Sequence, residues 1–187
     1  MAGRGTLTTG FAVMAAVGVL AVLGLVVDAV GTGGGAAVPV AAWVVAIAGL
    51  SVAALRRPEP TTWVLTALTV VVVALWAWFA ADVEWWIRYM DVRGPVLPMV
   101  AMAGSVPAAF LGLQRTFPAA IQLLVLGLAP ATPLAVFAAS SDLPERARPI
   151  LYGAVLLAGA PGAIVAGALY VVSVLQRRAD PWSGYSR

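Results

Sequence analysis

Cysteine, histidine, lysine and asparagine are absent from this chain, and each absence closes off chemistry. Without Cys or His there is no disulfide, no iron–sulfur ligand, no His-bound haem and no usual zinc site. Without Lys there is neither a Walker A motif nor a Schiff-base residue. A Ser–His–Asp or Ser–Lys nucleophile system cannot be assembled from these residues alone. No cofactor, no metal and no catalytic residue are therefore expected. The loss of Lys and Asn is also what the codon bias of a GC-rich genome produces, with arginine taking the cationic role.

What remains is overwhelmingly apolar. Hydrophobic residues make up 62% of the chain and charged residues 10%, with a mean hydropathy of +0.98. A soluble domain of this length cannot hide six runs of about twenty apolar residues, whereas a hydrocarbon layer about 30 Å thick requires them. The expectation is an all-α, polytopic transmembrane bundle forming a single domain. Its spans are Phe11–Val30, Ala36–Leu55, Trp63–Ala81, Pro95–Leu113, Phe117–Ala139 and Pro149–Leu175. Pro98 and Pro107 interrupt the fourth. A pI of 10.0 reflects eleven arginines against eight carboxylates. They are dispersed through the loops, which points to a lipid bilayer and not to nucleic acid.

Charge sets the orientation. With the N-terminus inside, the cytoplasmic segments hold Arg4, Arg56, Arg57, Arg115, Arg177, Arg178 and Arg187 against Glu59 and Asp180. The outer segments hold Arg88, Arg93, Arg146 and Arg148 with most of the carboxylates. This obeys the positive-inside rule, and six spans return the C-terminus to the cytoplasm of a plasma-membrane protein. The first span reads as an uncleaved anchor, being longer than a signal-peptide core.

Small residues four apart let helix backbones approach closely in lipid. They occur as Ala12/Ala16, Ala37/Ala41, Ala42/Ala46, Gly49/Ala53, Gly162/Ala166 and Ala163/Gly167. The sixth span, which also carries Gly153 and Gly159, is expected to be central, since glycine weakens a helix unless packing requires it. Between the third and fourth spans, residues 82–93 place Val83, Trp86, Ile87 and Met90 on one helical face and Glu84, Arg88 and Asp91 on another. That spacing predicts a short helix on the outer leaflet, an aromatic anchor or a lid over a ligand.

Helix interruptions concentrate in the last three spans. Ser105 and Pro107, Pro130 and Thr132, and Pro161 and Gly162 lie within about two turns of the span centres. Broken helices at matching depth expose backbone groups, and transporters bind substrates there; the alternative is a simple kink. These six residues are the candidate ligand site. Asp28, Asp82 and Glu84 form a candidate acidic vestibule on the outer side, unless Asp28 merely snorkels. Gln122, an amide inside the fifth span, reads as a tie between helices. Asp82-x-Glu84 and the thioethers of Met90, Met99 and Met102 lack the further ligands a metal needs. Gly31–Gly35 reads as an outer turn, and Pro58-Glu59-Pro60 as a loop that stops the chain after Arg57.

Six spans in under 200 residues, both termini inside, and Ala12-x-x-x-Ala16 near the cytoplasmic end of the first helix resemble the substrate-binding components of energy-coupling-factor vitamin transporters. The resemblance implies a coupling subunit docked at the alanine pair. It covers topology and one motif, carries no vitamin-pocket signature and assigns no site residue. Two function classes follow from the residues. One is a solute-binding or transport bundle; the other is a non-catalytic accessory or assembly subunit, with a membrane-protein partner or a second copy beside it.

Overall fold

Proline placement explains where the helices begin. In the computed structural model, residues 2–31, 37–82, 85, 88–89, 96–139, 153, 155 and 160–179 are described. The elements among them are α1 (Ala2–Gly31), α2 (Ala37–Arg56), α3 (Pro58–Ala81), α4 (Val96–Gln114), α5 (Thr116–Leu128), α6 (Ala131–Ala139) and α7 (Ala160–Ala179). Pro39, Pro58, Pro60, Pro98, Pro118 and Pro133 all fall in the first turn of a helix. There the missing N–H has no intrahelical partner to lose, and the fixed φ is already helical.

This rule corrects one expectation and resolves another, the interruption expected at Pro130. Pro58-Glu59-Pro60 is no loop but the opening turn of α3, continuous with the apolar run from Trp63. The Phe117–Ala139 span is not one helix. It breaks at Ala129–Pro130 into α5 and α6, because Pro130 cannot donate into the α5 ladder while Pro133 suits the start of a new helix. Pro107, by contrast, is carried within α4 without ending it. Helix α1 starts well before Phe11. Its glycine-rich first turns carry Thr8 and Thr9 hydroxyls donating to the Gly5 carbonyl at 3.1 and 2.9 Å and a tie to α7 described below.

The core joins distant parts of the chain. The most extensive contacts are α5 with α7, α1 with α7, α1 with α4 and α2 with α4. Helix α3 lies against α5, α2, α4 and α6. Met14, Leu65, Leu111, Leu123, Ala166 and Tyr170 form the fully enclosed centre. Phe11 of α1 meets Phe110 of α4 edge-on at 5.0 Å, a favoured aromatic geometry.

Among the described residues, Gly5–Gly24, Pro58–Ala81 and Ala160–Ala179 are long and apolar enough to cross a membrane. Shorter apolar helices cover Ala41–Arg56 and Thr116–Leu128. The sixth expected span is described only at residues 153, 155 and from Ala160 onward, and the tail beyond Ala179 lies outside the described residues.

Candidate functional site

Helices α5 and α7 meet backbone to backbone. A Cβ added at Gly127 would lie 2.9 Å from the Ile164 amide nitrogen and 3.0 Å from the Ala160 carbonyl oxygen. One at Gly167 would lie 2.8 Å from Leu124 Cγ and 3.1 Å from the Ala120 carbonyl oxygen. Only hydrogen fits at these two positions. The pairing of 127 with 160–164 and of 120–124 with 167 fixes an antiparallel crossing with no room for a solute between these backbones.

The centre of the bundle is built around one aromatic ring. Tyr170 is fully buried, one ring edge facing Gly10 of α1 and the other facing Gly112 of α4. A Cβ at Gly10 would come within 2.9 Å of Tyr170 Cε1; at Gly112 it would overlap Cε2. The hydroxyl donates to the Ala109 carbonyl at 2.9 Å. A buried phenol with no acceptor is costly in an apolar setting, so this bond fixes the depth of α7 against α4. Nearby, Thr6 Oγ1 of α1 donates to Gln176 Oε1 of α7 at 3.3 Å.

Gln122 is the polar node between α5 and α3. Its Nε2 donates to Thr66 Oγ1 at 2.9 Å and to the Thr62 carbonyl at 3.3 Å. Thr66 in turn donates to the Thr62 carbonyl at 2.8 Å. Gln122 Oε1 is buried and carries no hydrogen bond. The amide therefore ties helices together, the role its type and position suggest.

The six residues of the candidate ligand site are not gathered around one space. Ser105 and Pro107 are buried in α4, and Pro130 is buried in the turn after α5. Thr132 and Pro161 are exposed. Gly162 faces α1, where an added Cβ would lie 2.8 Å from Val17 Cγ2. The α5–α6 break supplies its own partners: the Ala129 carbonyl accepts the Thr132 amide at 3.2 Å and the Thr132 hydroxyl at 2.7 Å. The Ala129 carbonyl and the Thr132 amide, satisfied in this way, have no need of a ligand.

The acidic trio is described only in part. Asp82 ends α3 and is exposed, and its Oδ1 accepts the Trp85 amide at 3.0 Å. Asp28 lies in the last turn of α1, but its side chain and the whole of Glu84 lie outside the described residues. Of the expected outer helix, Trp85, Arg88 and Tyr89 are helical, and the rest of 83–93 is not described. Trp85 is stacked between Trp78 and Tyr89, with centroid separations of 5.4 and 5.3 Å. Asp82 thus caps the turn and the stack pins it to α3.

The two ends of the bundle differ in character. Arg56, Arg57, Arg115, Arg177 and Arg178 are exposed at one end, where Arg115 pairs with Glu59 at 3.0 Å. The opposite end of α3 carries the Trp78–Trp85–Tyr89 stack. Exposed Trp63 and Trp78 stand about 22 Å apart along α3 at the helical rise, with exposed Val64, Val70, Val71 and Val73 between them. Sequence reasoning missed Tyr170 and the threonines that receive Gln122. A lone phenol amid small residues and the Thr62-x-x-x-Thr66 spacing were the available signals.

No family model matches the chain, and no curated protein or solved structure is significantly similar to it.

Proposed function

We propose that this chain is a six-span bundle of the plasma membrane, with both termini cytoplasmic, acting as a non-catalytic accessory or assembly subunit of a larger membrane complex. Three long apolar helices, an arginine-bearing end and two tryptophan levels on α3 support the membrane placement. One observation carries the functional reading. On α7, Ala163, Ala166 and Gly167 are buried inside the bundle, while Ala12 and Ala16 of α1 and Ala42, Ala46 and Gly49 of α2 are exposed. Among the described residues, nothing lies within 4 Å of a Cβ built at Gly49. In lipid, such faces accept a neighbouring transmembrane helix through close backbone contact.

The test is purification in native lipid followed by native mass spectrometry. The wild-type chain should travel with a membrane-protein partner or a second copy, and Gly49→Leu should release the monomer without lowering its melting temperature. A wild-type chain that is monomeric under these conditions overturns the accessory reading.

A solute-binding or transport bundle is the second reading, with a site at Ser105, Pro107, Pro130, Thr132, Pro161 and Gly162. The break at Ala129–Pro130 and the unbonded Gln122 Oε1 favour it. The close α5–α7 contact and the self-satisfied turn at Thr132 weigh against it.

A further inference from the structure

We propose that the arginine-bearing end of the bundle binds the phosphodiester headgroups of anionic phospholipids. The cations come from three distant stretches of chain: Arg56 and Arg57 at the α2–α3 junction, Arg115 at the α4–α5 junction, and Arg177 and Arg178 in the last turn of α7. The fold brings them to one level. Glu59–Arg115 at 3.0 Å joins the first two groups. The antiparallel α5–α7 contact, with Gly167 against Ala120, carries the α7 terminus to the start of α5. Among the described residues, the carboxylate at this end is Glu59, and it is engaged with Arg115.

The backbone adds donors. Helices α3 and α5 both begin at this end, and their N-cap residues, Arg57 and Arg115, make no side-chain cap. Pro58 and Pro60 occupy the first turn of α3 and Pro118 that of α5, and the Glu59, Thr116 and Phe117 amides have no intrahelical acceptor. Uncapped N-termini beside guanidinium groups suit a phosphate oxygen.

Apolar neighbours decide which phosphate. Leu55 adjoins Arg56, Leu113 and Phe117 flank Arg115, and Leu175 precedes Arg177; all four are exposed, as is Trp63 one turn into α3. A free phosphate gains nothing from these side chains, and neither does an acidic peptide. A phospholipid places its headgroup on the cations and its acyl chains on the leucines and aromatics.

This inference rests on the membrane placement, and the experiment separates the two. The full chain is assembled into nanodiscs of phosphatidylcholine alone or mixed with phosphatidylglycerol, then released into detergent, and retained lipid is identified by native mass spectrometry. Phosphatidylglycerol should be retained in preference to phosphatidylcholine, and each arginine changed to glutamine at 56, 57, 115, 177 or 178 should lower that preference by about fivefold. Arg88→Gln, at the opposite end, should leave it unchanged. Glu59→Gln, which frees Arg115 without removing a cation, should raise it.

Equal retention of both lipids by a chain that enters the discs overturns the headgroup site alone. Failure to enter discs of either composition overturns the membrane placement and this site with it. Displacement of the lipid by excess inorganic phosphate or by polyglutamate would reassign the end to a free anion or to an acidic partner, and overturn the lipid proposal.

Discussion

Helices α7 and α2 are each twenty residues long and each carries small residues four apart, yet they use them in opposite ways. On α7, Ala163, Ala166 and Gly167 are buried, and Gly162 is half-covered by Val17. On α2, Ala42, Ala46 and Gly49 face outward, while Ile47, Ser51 and Ala54 turn inward. Spacing alone thus says that a helix can be approached closely, not that its own chain makes the approach. What distinguishes the two is whether a neighbour offers a matching backbone. Helix α5 brings Gly127 and the Ala120 carbonyl to α7; among the described residues, nothing does the same for Gly49.

The largest expected effect tests that contrast directly. Gly167→Leu must force Leu124 and the α5 backbone aside, an overpacking cost of about 1–3 kcal/mol or more. Its melting temperature in detergent should fall markedly, whereas that of Gly49→Leu should hold. Equal losses at the two positions would break the comparison.

A smaller effect is expected at the ring that α7 seats between Gly10 and Gly112. Tyr170→Phe keeps the packing and removes the bond to the Ala109 carbonyl, so a loss of about 1 kcal/mol is expected. An unchanged melting temperature would mean that shape, and not the hydrogen bond, sets the depth of α7.

Gln122→Leu should cost least, about 0.6 kcal/mol by the average for interhelical hydrogen bonds in membranes. A double-mutant cycle with Thr66→Val isolates the pair. A coupling energy near zero would remove Gln122 as a tie between α3 and α5 and leave packing alone to position α5.

Much of the helical layout was legible because apolar run length and proline position are local properties. The Ala36–Leu55 expectation meets α2 at Ala37–Arg56, and Ala81 ends both the expected third span and α3. Hydropathy passes smoothly through Ala129 and Pro130, so the break there was invisible to it; only the pairing of Pro130 with a first-turn Pro133 betrays two helices. The early start of α1 was hidden for another reason. Gly3, Gly5 and Gly10 disfavour a helix on their own, and the helix around them is held by Tyr170 and Gln176, residues more than 150 positions away. Of the candidate site, position along the chain was readable but facing was not. Gly162 stands at the expected depth, turned toward α1, because the antiparallel pairing of α1 with α7 decides which side of α7 meets which neighbour.

That pairing has a consequence for how the protein is made. Gly10, Val17 and Thr6 find their partners at Tyr170, Gly162 and Gln176, so α1 packs against a helix synthesised well over a hundred residues later. At about 5–20 residues per second, α1 is made roughly seven to thirty seconds before α7 is complete. Throughout that interval α1 has α2 and α4 to pack against, but Thr6, Gly10 and Val17 lack their α7 partners. Assembly of the core is thereby postponed until translation of α7, and a nascent chain stalled before residue 160 is left with α1 and α5 both lacking their principal neighbour.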